Sequence, residues 1–409
     1  MYRDGDKMSK KKDIMLNLFM KWAFVAYLFS QVFFDHTLIS QFALIIISVM
    51  SFLLCLIKKK FYFNLYFIFT LLFLLQSYIS SRNGISVEVQ TSMKMTVTIT
   101  LNFIIAVAIY NYILICDNLE ESLYIFAKIV LLFSIFIIFL SFGDIFSTRL
   151  GDAINLNIFG NDITYNSNSI SILAGICYLI YLYKYSKNKN KLIIPCLIWL
   201  IFIILISGSR KGFLLLFLGT PLLIYLLNPK KQIKNILTIV FILIISYLVL
   251  MKVPVMYNIA GNRIEAYVNM IFGSGVKEAS ADTRNLLIER GWAYFLQKPW
   301  TGYGLDCFRQ LEGSYGLYSH NNYIELLVSG GIPTFICYYA IRIVVLIKLF
   351  INRESDNINK LFFVILLLLI ILEYGFVAYS ERLFIILFVF VLCGYKKTEG
   401  RRRKNAYEK

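Results

Sequence analysis

Residues Leu123–Phe142 read LYIFAKIVLLFSIFIIFLSF, with Lys128 as the single charge. A helix of roughly 17–25 apolar residues is what crosses ~30 Å of hydrocarbon. No water is available there for the backbone, so such a block must satisfy its own amides and carbonyls as a helix. The pattern recurs in both directions. Spans are predicted at Leu16–Phe34, Leu38–Ile57, Phe61–Ile79, Met95–Ile115, Leu123–Phe142 and Ser169–Tyr185. More follow at Leu192–Ile206, Phe213–Leu227, Ile236–Met251, Tyr323–Phe350, Leu361–Tyr379 and Leu383–Tyr395. The expectation is an all-α polytopic integral membrane protein with about 12 transmembrane helices.

Composition agrees. The chain is 59% hydrophobic and 16% charged, with mean hydropathy +0.69. A soluble domain carries nearer a quarter charged residues. The net charge of +17 invites a nucleic-acid reading. Its distribution argues against one, because the basic residues cluster at block ends: Lys58 to Lys60, Lys184 to Lys191, Pro229 to Lys234, Lys348 to Lys360 and Lys396 to Lys404. Such clusters mark cytoplasmic loops under the positive-inside rule. Both termini are then cytoplasmic, and the protein is placed in the cytoplasmic (inner) membrane among its lipids. No small-residue cleavage site follows the first span, so it is expected to stay as a helix.

The expected organisation is transmembrane helices 1–9 over residues 1–251, then a large extracytoplasmic loop over 252–322. Helices 10–12 follow over 323–395, and a basic cytoplasmic tail over 396–409. Of the seven cysteines, all but Cys307 lie within or beside apolar blocks, where they act as small apolar residues. No CxxC pair or His/Cys cluster suggests a metal site or a cofactor.

Basic residues on the outer side run against the topology rule and are informative for that reason. Arg210 follows Ser207-Gly208-Ser209 at the outer end of a span. It is either a snorkelling anchor or an anion site, since a guanidinium fork matches phosphate geometry. The preceding serines and glycine offer hydroxyls and a helix start for an anion. The long loop holds Arg263, Arg284, Arg290 and His320, and loops of such length in compact proteins are usually functional. Within it, Thr283 to Phe295 has the pattern of an amphipathic helix. His320 is either structural or a general base, because neutral imidazole accepts a hydroxyl proton near pH 7. Arg149 and Arg382 are expected on the same side, as anchors or as contacts for anionic sugars.

Thr301-Gly302-Tyr303-Gly304-Leu305-Asp306-Cys307-Phe308 is followed by Ser319-His320-Asn321-Asn322-Tyr323-Ile324-Glu325-Leu326 and then Gly330-Gly331-Ile332-Pro333. This order resembles the signature of the bacterial O-antigen ligase and polymerase superfamily. Ser207-Gly208-Ser209-Arg210 is similar to its Ser-x-Ser-Arg motif. Arg284 with Trp292, before Pro299-Trp300-Thr301-Gly302, resembles its Arg-x(7)-Trp stretch. The motifs run from Ser207 to Pro333. Two positions depart from the pattern: Ser329 stands where the family often has Glu, and Lys211 where it often has Gly.

The resemblance implies a GT-C-like glycosyltransferase architecture, with the large loop between spans 9 and 10. It implies a donor glycan on undecaprenyl diphosphate and transfer to an acceptor hydroxyl with inversion, without a metal or cofactor. On that reading His320, Arg210 and Arg284 are catalytic. Arg263, Arg290, Glu325, Gly302, Gly304, Ser209 and Asn321 bind substrate. Glu325 orients the imidazole, anchors the acceptor, or is simply a carboxylate at a helix start. Gly302 and Gly304 shape a turn near the sugar, or a plain turn.

Outside the motifs the chain is rich in Ile, Lys, Asn and Tyr, as surface-polysaccharide polymerases often are. A polymerase joining lipid-linked repeat units is therefore favoured over a ligase acting on a finished chain. A chain-length regulator is the partner that this resemblance suggests. A lipid-linked oligosaccharide flippase is the alternative from another class. It predicts inverted repeats and charged or broken helices near the midplane. No internal repeat is visible, and Glu373 is the main intramembrane charge.

Overall fold

The computed structural model describes residues 2–35, 37–143, 150–151, 154–158, 161–227, 237, 241, 244–245, 247–248, 251–254, 257–261, 265 and 279–407. Among the described residues, eight helices are long and apolar enough to cross a membrane. The first seven helices are α1 (Tyr2–Phe33), α2 (Leu38–Lys58), α3 (Leu65–Ser80), α4 (Val89–Cys116), α5 (Leu119–Leu140), α6 (Ser167–Asn188) and α7 (Ile194–Ser207). Then come α8 (Arg210–Leu227), which contains a π turn at Leu215–Gly219, and α9 (Ala279–Gln297). The last three are α10 (Asn322–Ile351), α11 (Asn357–Leu372) and α12 (Arg382–Tyr407).

The expected third and seventh spans are present as shorter apolar helices, Leu65–Ser80 and Lys191–Ser207. Helix α12 covers the expected twelfth. The ninth, Ile236–Met251, lies mostly outside the described residues. One departure from an all-helical chain is a small antiparallel hairpin, Asn155–Ile158 with Asn161–Thr164, in the polar stretch after α5.

The helices read as lipid-facing. In α2 the buried positions are Ser40, Leu44, Ile47, Ser51 and Leu54, while Phe42, Ile45, Ile46, Val49 and Phe52 are exposed. Serines and a few aliphatic residues pack inward while these outward positions are all large and apolar, the arrangement expected where the solvent is hydrocarbon. Capping side chains start several helices: Thr37, Asn64 and Asn166 accept from backbone amides of their own first turns at 3.4, 3.0 and 2.8 Å.

The chain divides into two compact units. The first combines Met1–Ser122, Thr283–Ile347 and Glu373–Lys409; the second combines Leu123–Asp282 and Lys348–Leu372. In the second, small residues let helices approach. A Cβ at Gly175 would stand 2.7 Å from Leu215 on α8, and Gly212 lies against Ser171 on α6.

The first unit holds a correction to the expected tenth span. The stretch is 30 residues long, but it is two helices joined at Gly331, whose φ of 71° and ψ of −166° are not helical. The reason is chemical. Pro333 has no amide hydrogen to give the carbonyl of Ser329. The Ile332 amide leaves the helix and donates to Pro299 O at 2.8 Å. The carbonyls so released are taken by the preceding loop: Tyr303 N donates to Val328 O at 2.8 Å and Gly304 N to Ser329 O at 2.9 Å. Irregular backbone at membrane depth persists only where its polar groups find such partners.

Candidate functional site

Helix α9 occupies the stretch read as amphipathic. Its Leu287 and Phe295 join Tyr303, Phe308, Leu311, Ile324 and Val328 in one apolar cluster within the first unit. Each such side chain contributes ~1.5–3 kcal/mol when fully buried. The cluster fixes α9 and the following loop against the first half of α10. Trp292 and Leu296 stay exposed on the other face of α9.

The start of α10 is built from its own motif. Asn321 Oδ1 accepts from Tyr323 N at 2.9 Å and from Ile324 N at 3.1 Å, an N-cap. Ser319 Oγ donates to Asn321 O at 2.8 Å. Buried Glu325 reaches back and accepts from Ser319 N at 2.9 Å. Between these anchors His320 has φ of 55°, a left-handed conformation that costs an ordinary residue roughly 1–2 kcal/mol. The turn is over-determined on both sides of a strained residue, as strained functional residues typically are.

The His320 ring lies 4.1 Å from the ring of Tyr318, centroid to centroid, and both side chains are partly exposed. Burial pushes the Tyr318 phenol above its usual range. The Arg284 charge opposes that rise, and Glu381 and Glu325 add to it. Arg284 makes no ion pair or hydrogen bond among the described residues and is partly exposed. Tyr318 thus stands next to His320 and within the field of Arg284. Glu381 follows α11 in the short segment 376–381. Burial, with the charge of Asp35 adding, pushes its carboxyl up to about 7.

The other expected site residues fall as follows. Arg290 packs its guanidinium against Gly313 and lies 6.0 Å from the Tyr315 ring; its buried Nε has no hydrogen-bond partner among the described residues. Gly302 and Gly304 have φ of 64° and 98°. A Cβ at Gly302 would stand 2.5 Å from the Ser329 and Gly330 backbone, and one at Gly304 2.5 Å from Ser86 Oγ. Their glycine identity lets the loop meet the helix break. Gln76 and Ser80 of α3 hold the same loop, with Gln76 Nε2 donating to Trp300 O at 2.9 Å and Ser80 Oγ to Thr301 O at 2.5 Å.

Arg210 and Ser209 belong to the second unit. Gly208, at φ 57°, ends α7, and Arg210 opens α8. Ser209 Oγ donates to Asn168 Oδ1 at 2.9 Å, and Ser209 N to Ser207 Oγ at 3.3 Å. Arg263 and Arg149 lie outside the described residues. Arg382 is buried, with Nε donating to Asn102 Oδ1 at 3.0 Å. The structure thus brings Arg284, His320, Asn321 and Glu325 into one unit, with Gly302, Gly304 and Arg290 bracing it. Tyr318, Ser319, Asn322 and Glu381 are neighbours that sequence reasoning did not single out. Ser319 and Asn322 sat inside the motif, whereas Tyr318 and Glu381 carried no pattern.

The long apolar helices of the described residues make this an integral membrane protein. Residues 195–339 match the family model described as O-Antigen ligase. The match contains both the Ser207–Arg210 turn and the His320 motif. No curated protein matches the chain.

Proposed function

We propose that this protein is a polysaccharide polymerase that joins undecaprenyl-diphosphate-linked repeat units at the outer face of the cytoplasmic membrane. Both termini are then cytoplasmic. The observation that carries the proposal is the turn Tyr318-Ser319-His320. It presents an imidazole on a left-handed backbone, beside a tyrosine that feels the charge of Arg284.

In the proposed step, the acceptor sugar hydroxyl attacks the anomeric carbon of the donor. The new C–O bond forms as the bond to the lipid diphosphate breaks, with inversion. His320 takes the hydroxyl proton. General-base help of this kind is worth about 10²–10⁴-fold. The diphosphate leaves with added negative charge, which Arg284 stabilises by charge-assisted hydrogen bonds; Arg210 is assigned a catalytic role from its Ser-x-Ser-Arg motif. Arg263 and Arg290 supply further positive charge. Asn321 and Glu325 hold the turn rigid, Gly302 and Gly304 let the loop close on the helix, and Ser209 starts the Arg210 helix. A chain-length regulator is the protein partner this activity calls for.

The ligase reading is the runner-up, favoured by the printed description of the matched family model. One experiment separates the classes: glycan display in a deletion strain complemented with wild type, Arg210→Ala, Arg284→Ala or His320→Ala, at matched membrane levels. The polymerase reading expects a single capped repeat unit and no long chains for the deletion and for each variant. Long lipid-linked chains that never reach an acceptor identify a ligase. Repeat units trapped on the cytoplasmic leaflet identify a flippase. Normal long chains from all three variants overturn the site.

A further inference from the structure

Glu373 opens the 3-10 turn Glu373–Gly375 that follows α11 and is 3% exposed. Its carboxyl accepts from Tyr339 Oη at 2.6 Å, Tyr338 Oη at 3.0 Å and Asn322 Nδ2 at 3.1 Å. Arg342, one turn beyond Tyr338, is also buried. It donates to Tyr338 O at 2.8 Å and lies 3.5 Å over the Tyr338 ring. Burying ionisable groups at the end of an apolar helix is expensive, and they are seldom kept there without a role.

Asn322 connects this cluster to the turn. It is wholly buried, and every bonding position of its amide is filled. Nδ2 donates to Glu373 and, at 2.8 Å, to Tyr339 Oη. Oδ1 accepts from Ala378 N at 2.9 Å and from Tyr379 N at 3.1 Å. Two residues earlier stands His320 in its left-handed conformation. The helix that begins at Asn322 ends at Gly330, cut off by the break, so the longer helix beyond Gly331 does not by itself hold it in register. Its N-terminal end is set by the Glu373 cluster on one side and by the Ser319–Glu325 bond on the other.

We infer that Glu373 is a positioning residue, which through Asn322 fixes the short helix and the turn that aims His320. This rests on the reading of His320 as the general base. A catalytic base must be held tightly, since a misplacement of about 1 Å costs on the order of 10²-fold in rate.

The test uses the full-length protein in lipid nanodiscs, with the repeat unit extracted on its own lipid carrier from the deletion strain. Initial rates are measured for wild type, Glu373→Gln, Asn322→Ala, the double variant, Tyr339→Phe and His320→Ala. Glu373→Gln is expected to lower kcat about 10- to 100-fold with KM little changed. The double variant is expected to fall no further than Asn322→Ala alone, because the two act through one contact. Tyr339→Phe keeps the ring and removes two hydrogen bonds of the cluster, the one to Glu373 and the one from Asn322. It is expected to lower kcat roughly threefold to tenfold without changing KM, and it decides the question where Glu373→Gln does not accumulate. Unchanged kcat in Glu373→Gln or Tyr339→Phe overturns the inference. So does a loss in the double variant equal to the product of the two single losses. If His320→Ala keeps the wild-type rate, the reading of the base itself has failed. If His320→Ala is inactive while Glu373→Gln is normal, only the positioning role has failed.

Discussion

The amide of Ser319 donates to Glu325 Oε2 at 2.9 Å, closing a turn whose middle residue is the left-handed His320. The carboxylate that resembled a substrate contact in sequence is engaged with backbone. Glu325→Ala leaves a buried amide without a partner and is expected to cost ~1–3 kcal/mol of stability. Glu325→Gln keeps an acceptor oxygen and is expected to cost less than about 1 kcal/mol. Thermal unfolding of the two variants in the same detergent checks the order; equal stability of Glu325→Ala and wild type removes the lock.

Gly302 and Gly304 make a sharper stability prediction. Alanine at Gly302 meets both left-handed strain and the Ser329 backbone at 2.5 Å, and is expected to cost roughly 2–4 kcal/mol. Gly316, at φ 71° with open space around it, supplies the control. Gly316→Ala is expected to cost only ~1–2 kcal/mol. Membrane accumulation and unfolding temperature should rank Gly302→Ala well below Gly316→Ala. Equal accumulation argues against the close loop–helix junction.

Glu381 gives a pH dependence with a definite sign. Its carboxyl titrates at about 7 in the folded protein, against an ordinary value of 4.5. Folding therefore favours the protonated form. The stability it contributes is full below about 4.5, declines as pH rises, and is gone above about 7. The decline is expected to be on the order of 1–3 kcal/mol. Glu381→Gln should flatten it. A wild-type stability curve that rises through this window contradicts the assignment.

Much of this was legible in sequence, for reasons particular residues make plain. Apolar blocks such as Leu123–Phe142 announce helices because hydrocarbon leaves the backbone no alternative. The Gly-Tyr-Gly and His-Asn-Asn stretches stood out as motifs, and both lie in the first unit. The break at Gly331 had a written signal in Gly-Gly-Ile-Pro, but the block's hydropathy runs straight through it, so a single long span was expected. The hairpin at Asn155–Thr164 was hidden because Asn-rich strands lack strong β propensity. Asn322 bonds to Glu373, 51 residues away, and no local pattern encodes a partner at that distance. Tyr318 adjoins the motif but carries no pattern of its own, and Glu381 comes near through the fold.

Arg284 is tested by a pair of substitutions. Arg284→Ala is expected to lower kcat by about 10²–10³-fold, the usual loss when one donor to developing negative charge is removed. Arg284→Lys restores the charge without the planar fork and should fall between the two. Rates of the purified variants with the lipid-linked repeat unit decide this. Full activity in Arg284→Ala assigns the diphosphate contact elsewhere.

The most direct test of the central claim is the turnover of purified His320→Ala against wild type, across a range of pH, with the repeat unit on its lipid carrier as substrate. The account predicts a rate about 10²–10⁴-fold lower at every pH in the range. A His320→Ala protein that matches the wild-type rate and pH profile would contradict it.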